Sequence, residues 1–170
     1  MRAAVIPLLA LSLAGCGYRV AGHADALPKS IHTIAVTSFG NNSTRYKLSD
    51  RLAADITREF ISRTKYDIVS DPNQADAVLT GAVLDYSAFP RVYNPAVGRS
   101  SSVQMNVRLS VTLTDRASGK VLYSRQNFEV NERYEISPDQ SSYIEESDLA
   151  LERLSRSVAR SVVSGVLENF

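Results

Sequence analysis

The sequence predicts an α+β fold: a two-layer sandwich in which two helices cover one face of a mixed, mostly antiparallel sheet of about four to five strands. Three patterns support this prediction. Apolar and polar residues alternate along 103–113, as in a strand with one buried face. Apolar residues recur at helical spacing within 46–63, and again from about residue 141 to the end of the chain.

The first strand and the first helix follow from short-range patterns. Residues 34–39 form a β-rich run that is closed by the turn residues Gly40-Asn41-Asn42. The segment 46–63 is predicted to be an amphipathic helix, because its apolar residues lie one, three or four positions apart with charged residues between them. These apolar residues are Leu48, Leu52, Ala53, Ile56 and Phe60.

The remaining strands build the sheet. A brief strand is predicted at 66–69 and a long one from 77 to 89, with a turn at Asp71-Pro72 between them. The strongest pattern is the period-two alternation along 103–113, and a turn at 115–119 returns the chain as a partner strand over 120–133. The alternating apolar residues of 103–113 are Val103, Met105, Val107, Leu109, Val111 and Leu113. This pair is predicted to be an antiparallel hairpin.

The final helix has an apolar face broad enough to cover a sheet. That face carries Leu151, Leu154, Val158, Ala159, Val162, Val163, Val166 and Phe170. Three arginines, Arg153, Arg156 and Arg160, share another side of the helix at three- and four-residue spacing. The simplest interpretation of this stripe is the solvated back of an amphipathic helix.

The amino terminus has the pattern of a bacterial lipoprotein signal. Arg2 precedes a short apolar run that ends in Leu13-Ala14-Gly15, and the only cysteine, Cys16, follows directly. The run is shorter than the roughly 20 residues that a membrane-spanning helix needs. We therefore expect cleavage before Cys16 and acylation of its thiol. An ordinary secretory signal with a chance cysteine, or an uncleaved anchor, is the alternative.

The predicted organisation has three parts. Residues 1–15 are the signal peptide, 16–30 a lipidated tether, and 31–170 a single domain. The chain carries 19 basic and 18 acidic residues, and loss of Arg2 with the signal leaves 18 of each. A neutral mature protein does not favour a nucleic-acid partner, so any anionic ligand has to meet a local cluster of positive charge.

The sequence gives little support for an enzyme. Only His23 and His32 could serve as a near-neutral acid or base, and both lie in or next to the tether. The sequence has no nucleophile elbow and no phosphate-binding glycine loop, and it offers no Cys/His set for zinc once Cys16 is acylated. We predict neither a cofactor nor a catalytic or metal site.

Basic residues in two predicted loops are the candidates for ligand binding. The Pro/Gly/Ser-rich stretch 90–102, predicted to be a long loop, contains Arg91 and Arg99, and the hairpin turn contributes Arg116 and Lys120. Arginine forks and lysine charges bind phosphate, although such residues also simply keep loops soluble. Arg108, on the polar face of the alternating strand, is a candidate to pair with an acidic side chain of a partner.

The chain resembles the LptE family of lipopolysaccharide-assembly lipoproteins over nearly its whole mature length. The matching features are Cys16-Gly17-Tyr18-Arg19-Val20-Ala21-Gly22, then Leu27-Pro28, Ile34-Ala35-Val36 to Phe39 and Asn41-Asn42, Ala75 to Gly81, the turn Asp115 to Lys120, and the final Glu/Ala/Leu-rich helix. No single piece is decisive, but the ordered set is much more specific.

The resemblance implies a lipoprotein anchored at the periplasmic face of the outer membrane. It implies that the protein plugs the LptD β-barrel translocon, helps that barrel assemble, and assists lipopolysaccharide on its way to the cell surface. Gly17, after the cysteine, agrees with outer-membrane sorting. Several of the same residues also resemble periplasmic lipoproteins of the LpoB and curli-secretion type, which regulate a cell-wall synthase or form a secretion complex.

Overall fold

A computed structural model describes residues 27–95, 99–135 and 143–168. The predicted signal peptide, Cys16 and most of the tether lie outside the described residues. The elements are β1 (Thr33–Val36), β2 (Gly40–Asn41), α1 (Tyr46–Arg63), β3 (Asp67–Val69), a 3-10 helix (Pro72–Gln74), β4 (Ala77–Asn94), β5 (Arg99–Asp115), β6 (Val121–Glu135) and α2 (Tyr143–Glu168).

The described strands form one mixed sheet in the order β3-β1-β4-β5-β6, and β2 also pairs with β4. The short strand β1 pairs in parallel with β3, and both β1 and β2 pair in parallel with β4. The long strands β4, β5 and β6 are antiparallel. The predicted α+β sandwich is confirmed, and the sixth strand is the two-residue β2, in a segment predicted as a turn.

Both helices cover the apolar side of the sheet. The six alternating residues of β5, Val103 to Leu113, are all buried, as are Leu48, Leu52, Ile56 and Phe60 of α1 and Leu154, Val158 and Val162 of α2. Burial of each large aliphatic side chain contributes about 1.5–3 kcal/mol. Leu27 and Ile31 also lie in this core, so the folded part of the chain begins no later than residue 27.

The prediction of a long loop at 90–102 is wrong over most of its length. β4 continues to Asn94 and β5 begins at Arg99, so only 96–98 fall outside the described residues. Pro90 pairs with Val103, and the register shifts beside it between Pro90 and Val92. Proline donates no backbone hydrogen bond, and such irregularities let a strand accommodate it. The pairing of two long strands thus extends through a stretch whose composition favours a loop.

Two glycines lie where an aromatic ring of another residue occupies the space that a side chain at the glycine position would need. A Cβ at Gly81 in β4 would overlap the ring of Phe39, which is buried between the end of β1 and β2. A Cβ at Gly165 in α2 would come 2.5 Å from the hydroxyl of Tyr123 in β6. Glycine inside a helix costs about 1 kcal/mol relative to alanine. Here it lets α2 approach the sheet closely.

The two helices run parallel and are joined along their length by side-chain hydrogen bonds. Lys47 Nζ donates to Asp148 at 3.2 Å, and Arg63 Nη1 donates to Ser164 Oγ at 2.8 Å. Between them, Ser155 Oγ donates to Asp55 Oδ2 at 2.6 Å, with Ser155 fully buried. The other carboxylate oxygen of Asp55 accepts from Arg58 at 2.7 Å. A buried carboxylate is therefore satisfied from both helices.

A second junction joins the start of the sheet to the strand that follows the 3-10 helix. Asp76 Oδ2 accepts hydrogen bonds from the backbone N–H groups of His32 and Thr33, both at 2.9 Å. The backbone N–H of Asp76 donates to Thr33 Oγ1 at 2.8 Å. The bond from His32, followed by those from Thr33, lowers the pKa of the Asp76 carboxyl below its ordinary value of 3.8.

Ser155→Ala tests the bond between the helices. The substitution leaves one oxygen of a nearly buried carboxylate without its partner, so we expect a loss of about 1–3 kcal/mol in the free energy of unfolding. Ser62→Ala is the matched control, because the Ser62 hydroxyl bonds only within its own helix, and its effect should stay within about 0.5 kcal/mol. Urea unfolding measures both. Equal losses in the two variants would contradict the role of Ser155.

Asp76→Asn tests the second junction through its pH dependence. Because the pKa of Asp76 is lowered in the folded protein, its charge stabilises the fold above pH 3.8, and this contribution disappears as the pH falls through the lowered value. The amide oxygen of asparagine still accepts hydrogen bonds but carries no charge. We expect the native chain to exceed the variant in stability at neutral pH by a margin that shrinks in acid. Urea unfolding at several pH values measures this difference in stability. A difference that does not change with pH contradicts the role of the Asp76 charge.

Candidate functional site

The helix-free face of the long strands is a polar surface. On β5 it presents Gln104, Asn106, Arg108, Ser110 and Thr112, all half-buried or exposed, because they alternate with the buried core residues. Neighbouring side chains on β4 and β6 add to the same face. The surface carries amides and hydroxyls along most of β5, so it suits a polar partner surface with many donors and acceptors.

One of the predicted binding residues, Arg91, is fixed on this polar face. Its Nε donates to Gln104 Oε1 at 2.7 Å, and Gln104 Nε2 donates to Asn106 Oδ1 at 3.2 Å. The Arg91 side chain is nevertheless exposed, and only one of its five N–H donors is used in this bond. Arg99 lies at the start of β5, but its side chain is outside the described part of the structure.

Arg108 forms an ion pair within the chain. Its Nη2 lies 3.7 Å from Asp85 Oδ2, and both side chains are about half exposed. Glu129 of β6 stands opposite Arg108 in the strand register. Asp85 and Glu129 are the neighbours that sequence reasoning missed, because a carboxylate opposite a given arginine becomes apparent only once the strand register is known. The charge of Arg108 is thus compensated before any partner binds.

The hairpin turn holds the other two predicted residues. Arg116 Nε donates to the carbonyl oxygen of Ala75 at 2.6 Å, and its backbone N–H donates to that of Asp76 at 2.8 Å. Arg116 thereby fastens the turn to the start of β4, a structural role, while its side chain remains exposed. Lys120 is exposed at the end of the turn. These two residues lie beside the junction that Asp76 forms.

Hydrogen bonds from backbone N–H groups to the side chain of Asp115 shape the turn itself. Asp115 Oδ1 accepts from the N–H groups of Ser118 and Ala117, at 3.0 and 2.9 Å. The bond from Ser118, supported by that from Ala117, lowers the pKa of the Asp115 carboxyl. Gly119 adopts φ +69°, a left-handed conformation that glycine enters at little cost. The position of Lys120 is therefore set by a well-defined turn.

The structure does not bring the two pairs of predicted binding residues together. Asp115 pairs with Ala77 at one end of the β4–β5 ladder, and Pro90 pairs with Val103 at the other. At about 3.3 Å per residue, the 13-residue separation along β4 corresponds to roughly 40 Å. The Arg91 end and the Lys120 end are therefore separate surfaces, and a single compact ligand does not reach both.

The described residues give little support for other kinds of site. Across 27–95, 99–135 and 143–168, no group of three or more His, Cys, Asp or Glu side chains is placed to hold a metal ion. None of the helices that the structure describes is long and apolar enough to cross a membrane. His32 is exposed, and its ring lies 4.0 Å from Asp76.

Three solved structures share the fold. Lipoprotein B from Nitrosomonas europaea is 14% identical, with a TM-score of 0.60 over 90% of this chain and 92% of its own. A protein from Xanthomonas campestris is 15% identical (TM-score 0.55; 88% and 91% covered), and one from Chlamydia trachomatis 14% (0.53; 82% and 99%). At these identities the similarity establishes the fold alone. We found no curated protein with a matching sequence.

The family comparison is more specific. Residues 31–165 match the LptE family, whose description is lipopolysaccharide-assembly. The match covers most of the chain and includes the polar sheet face, the hairpin turn and most of the last helix. The family consists of non-enzymatic lipoproteins of the cell envelope. The chain therefore belongs to the LptE family of lipopolysaccharide-assembly proteins.

Proposed function

We propose that this protein is an outer-membrane lipoprotein that plugs an LptD-type β-barrel, helps the barrel assemble, and assists the transport of lipopolysaccharide to the cell surface. The family match over 31–165 carries the proposal. The polar sheet face supports it, because the lumen of a large outer-membrane barrel is polar and presents its own hydrogen-bonding groups. A domain with one helix-covered face and one open polar face fits such a lumen.

The contact to the barrel wall is assigned to the polar face around Asn106 and Ser110. The nearby charge of Arg108 is already balanced by Asp85 at 3.7 Å. A face of hydrogen-bonding groups with paired charges loses less on leaving water than one with isolated charges, because a buried unpaired charge is costly. Contact through the part of this face around Arg108 needs no complementary charge from the wall.

The membrane anchor is assigned to Cys16, after removal of residues 1–15. Each buried methylene of an acyl chain contributes about 0.8 kcal/mol, and one chain gives only marginal binding. A lipoprotein with two or three chains is held durably. Leu27 is already part of the core, so the segment between Cys16 and Leu27 is the proposed connection between the outer membrane and the folded domain.

The two basic ends are proposed as contacts to the phosphates of lipopolysaccharide. Arg91 and Arg99 belong to one end of the β4–β5 ladder, and Arg116 and Lys120 to the other. Of these, Arg91 and Lys120 are the better candidates, because Arg116 is engaged with the carbonyl of Ala75. The separation of the ends suits an extended glycolipid or two successive contacts.

Affinity purification from solubilised outer membrane tests the barrel contact. With a photo-crosslinking amino acid at position 106 or 110, we expect a covalent adduct to a large outer-membrane β-barrel protein, because these side chains lie on the open polar face. Ser62, exposed near the end of α1, is the matched control position and should give a lower yield. Mass spectrometry identifies the adducts.

Two outcomes of that purification contradict the proposal. Recovery of a peptidoglycan synthase in place of a barrel would favour the LpoB-type alternative. Equal crosslinking from 62, 106 and 110 would remove the assignment of the polar face as the contact surface. The intact mass of the purified protein tests the anchor at the same time, since a free thiol with residues 1–15 still attached excludes lipidation at Cys16.

Charge reversal tests the two basic ends separately. We expect Arg91→Glu and Lys120→Glu each to weaken retention of lipopolysaccharide in a pull-down, because one charge-assisted hydrogen bond is worth roughly tenfold in affinity. The double variant should lose more than either single one. Lys65→Glu, an exposed change after α1, controls for net charge. Unchanged retention in the double variant would remove both ends from the ligand contact.

A further inference from the structure

The arginine stripe of α2, which the sequence pattern places on a solvated helix back, borders a cleft. The cleft lies between α2 and the helix-facing side of β6, which is the edge strand of the described sheet. It has a volume of about 250 Å³ and is lined by Arg153, Arg156, Ser157, Arg160 and Glu132. Every lining side chain is polar. The space is smaller than a typical pocket for a drug-sized ligand, so it suits one small polar group.

Positive charge in this cleft exceeds negative charge. Three guanidinium groups face one carboxylate of the lining, Glu132, and a second carboxylate, Glu152, lies 3.2 Å from Arg156 on the same helix. One positive charge thus remains uncompensated. Like charges three and four positions apart on a helix repel one another. An anion bound between Arg153, Arg156 and Arg160 relieves this repulsion.

The contacts that Glu132 makes within the cleft are long, which leaves hydrogen-bond donors of the cleft available. Arg153 Nε is 3.9 Å from Glu132, and Ser157 Oγ donates to Glu132 at 3.4 Å. Arg160 donates to the hydroxyl of Ser157, an uncharged group, at 3.1 Å. Hydrogen bonds between ionised groups are ordinarily about 2.7–2.9 Å long.

A structural arginine of the same chain looks different. Arg58 makes a 2.7 Å bond to Asp55 while its own side chain is 70% exposed. Arg153 and Arg156 of the cleft are 47% and 52% exposed, so they differ from Arg58 in the length of their contacts to carboxylates and not in a greater exposure. The cleft arginines are thus placed where a solute reaches them, and their forks are not saturated by short bonds to carboxylates.

We propose that this cleft binds a phosphate monoester, either on a lipid headgroup or free. Guanidinium forks match phosphate oxygens in bidentate geometry, and three forks around a small space exceed what a singly charged carboxylate needs. The open rim lets the remainder of a phosphorylated lipid or sugar extend outside. The site is separate from the Arg91 and Lys120 ends. It does not depend on docking into a barrel.

Nuclear magnetic resonance of the arginine Nε–Hε groups tests the proposal on the full lipoprotein in neutral detergent. Inorganic phosphate is one probe, and mixed micelles containing phosphatidic acid, with phosphatidylcholine as the matched lipid, are the other. We expect the signals of Arg153, Arg156 and Arg160 to shift, while those of Arg51 and Arg58 on α1 stay in place. No shift with either probe, or equal shifts of all five, overturns the proposal.

The two probes distinguish the source of the phosphate. Shifts with inorganic phosphate identify the phosphate group itself as the recognised element. Shifts with phosphatidic acid alone identify a lipid headgroup. Both results support the site, whereas phosphatidylcholine acting as strongly as phosphatidic acid overturns it. None of these outcomes bears on whether a β-barrel co-purifies, so the failure of this site and of the proposed function are separate results.

Matched variants separate a built site from a general charge effect. Arg153→Ala with Arg160→Ala should reduce the affinity for phosphate by roughly tenfold or more. Arg51→Ala with Lys65→Ala removes the same charge elsewhere and should leave affinity unchanged. Glu132→Gln should raise affinity, because it removes the carboxylate that competes for the same guanidinium groups. An equal loss in both double variants, or weaker binding by Glu132→Gln, overturns the proposal.

Discussion

The alternation of apolar and polar side chains along β5 is the constraint on which the rest of the structure depends. β5 is paired on both sides, so its apolar residues can be buried only by a layer on one face, which α1 and α2 provide. The same alternation places Gln104, Asn106 and Arg108 on the other face. A slip of one residue would exchange the two faces. The core and the partner surface are therefore two results of one register.

The covering layer works because its two helices behave as one unit. Asp55 and Ser155, which lie 100 positions apart, meet in the buried contact between α1 and α2. A carboxylate there is tolerated only when its partners are present, which makes the relative position of the helices specific as well as stable. Gly165 then lets α2 lie close to Tyr123. A small number of polar and close contacts fixes where the apolar layer lies on the sheet.

Local sequence patterns predicted the elements in which buried residues recur periodically. They did not predict where the long strands begin and end. The helix over 46–63 is found at Tyr46–Arg63, because its apolar spacing is a local property. The extension of β4 to Asn94 depends on pairing with β5, and no local composition encodes that. The candidate binding residues show the same difference between what local sequence predicts and what strand pairing decides. The sequence identified exposed basic residues, but the bond from Arg116 to Ala75 and the ion pair of Arg108 with Asp85 follow from strand register.

A chain whose predicted mature form is formally neutral distributes its charge unevenly over its surfaces, and that distribution distinguishes their roles. On the polar sheet face, Arg108 lies 3.7 Å from Asp85, so a protein wall can cover this ion pair without leaving Arg108 as a lone charge. Around the cleft, the three arginines leave an excess of positive charge over Glu132 and Glu152. Covering that cleft with an uncharged wall would leave the excess positive charge buried and unpaired, which is energetically costly. The first surface therefore suits a protein partner, and the second suits an anion.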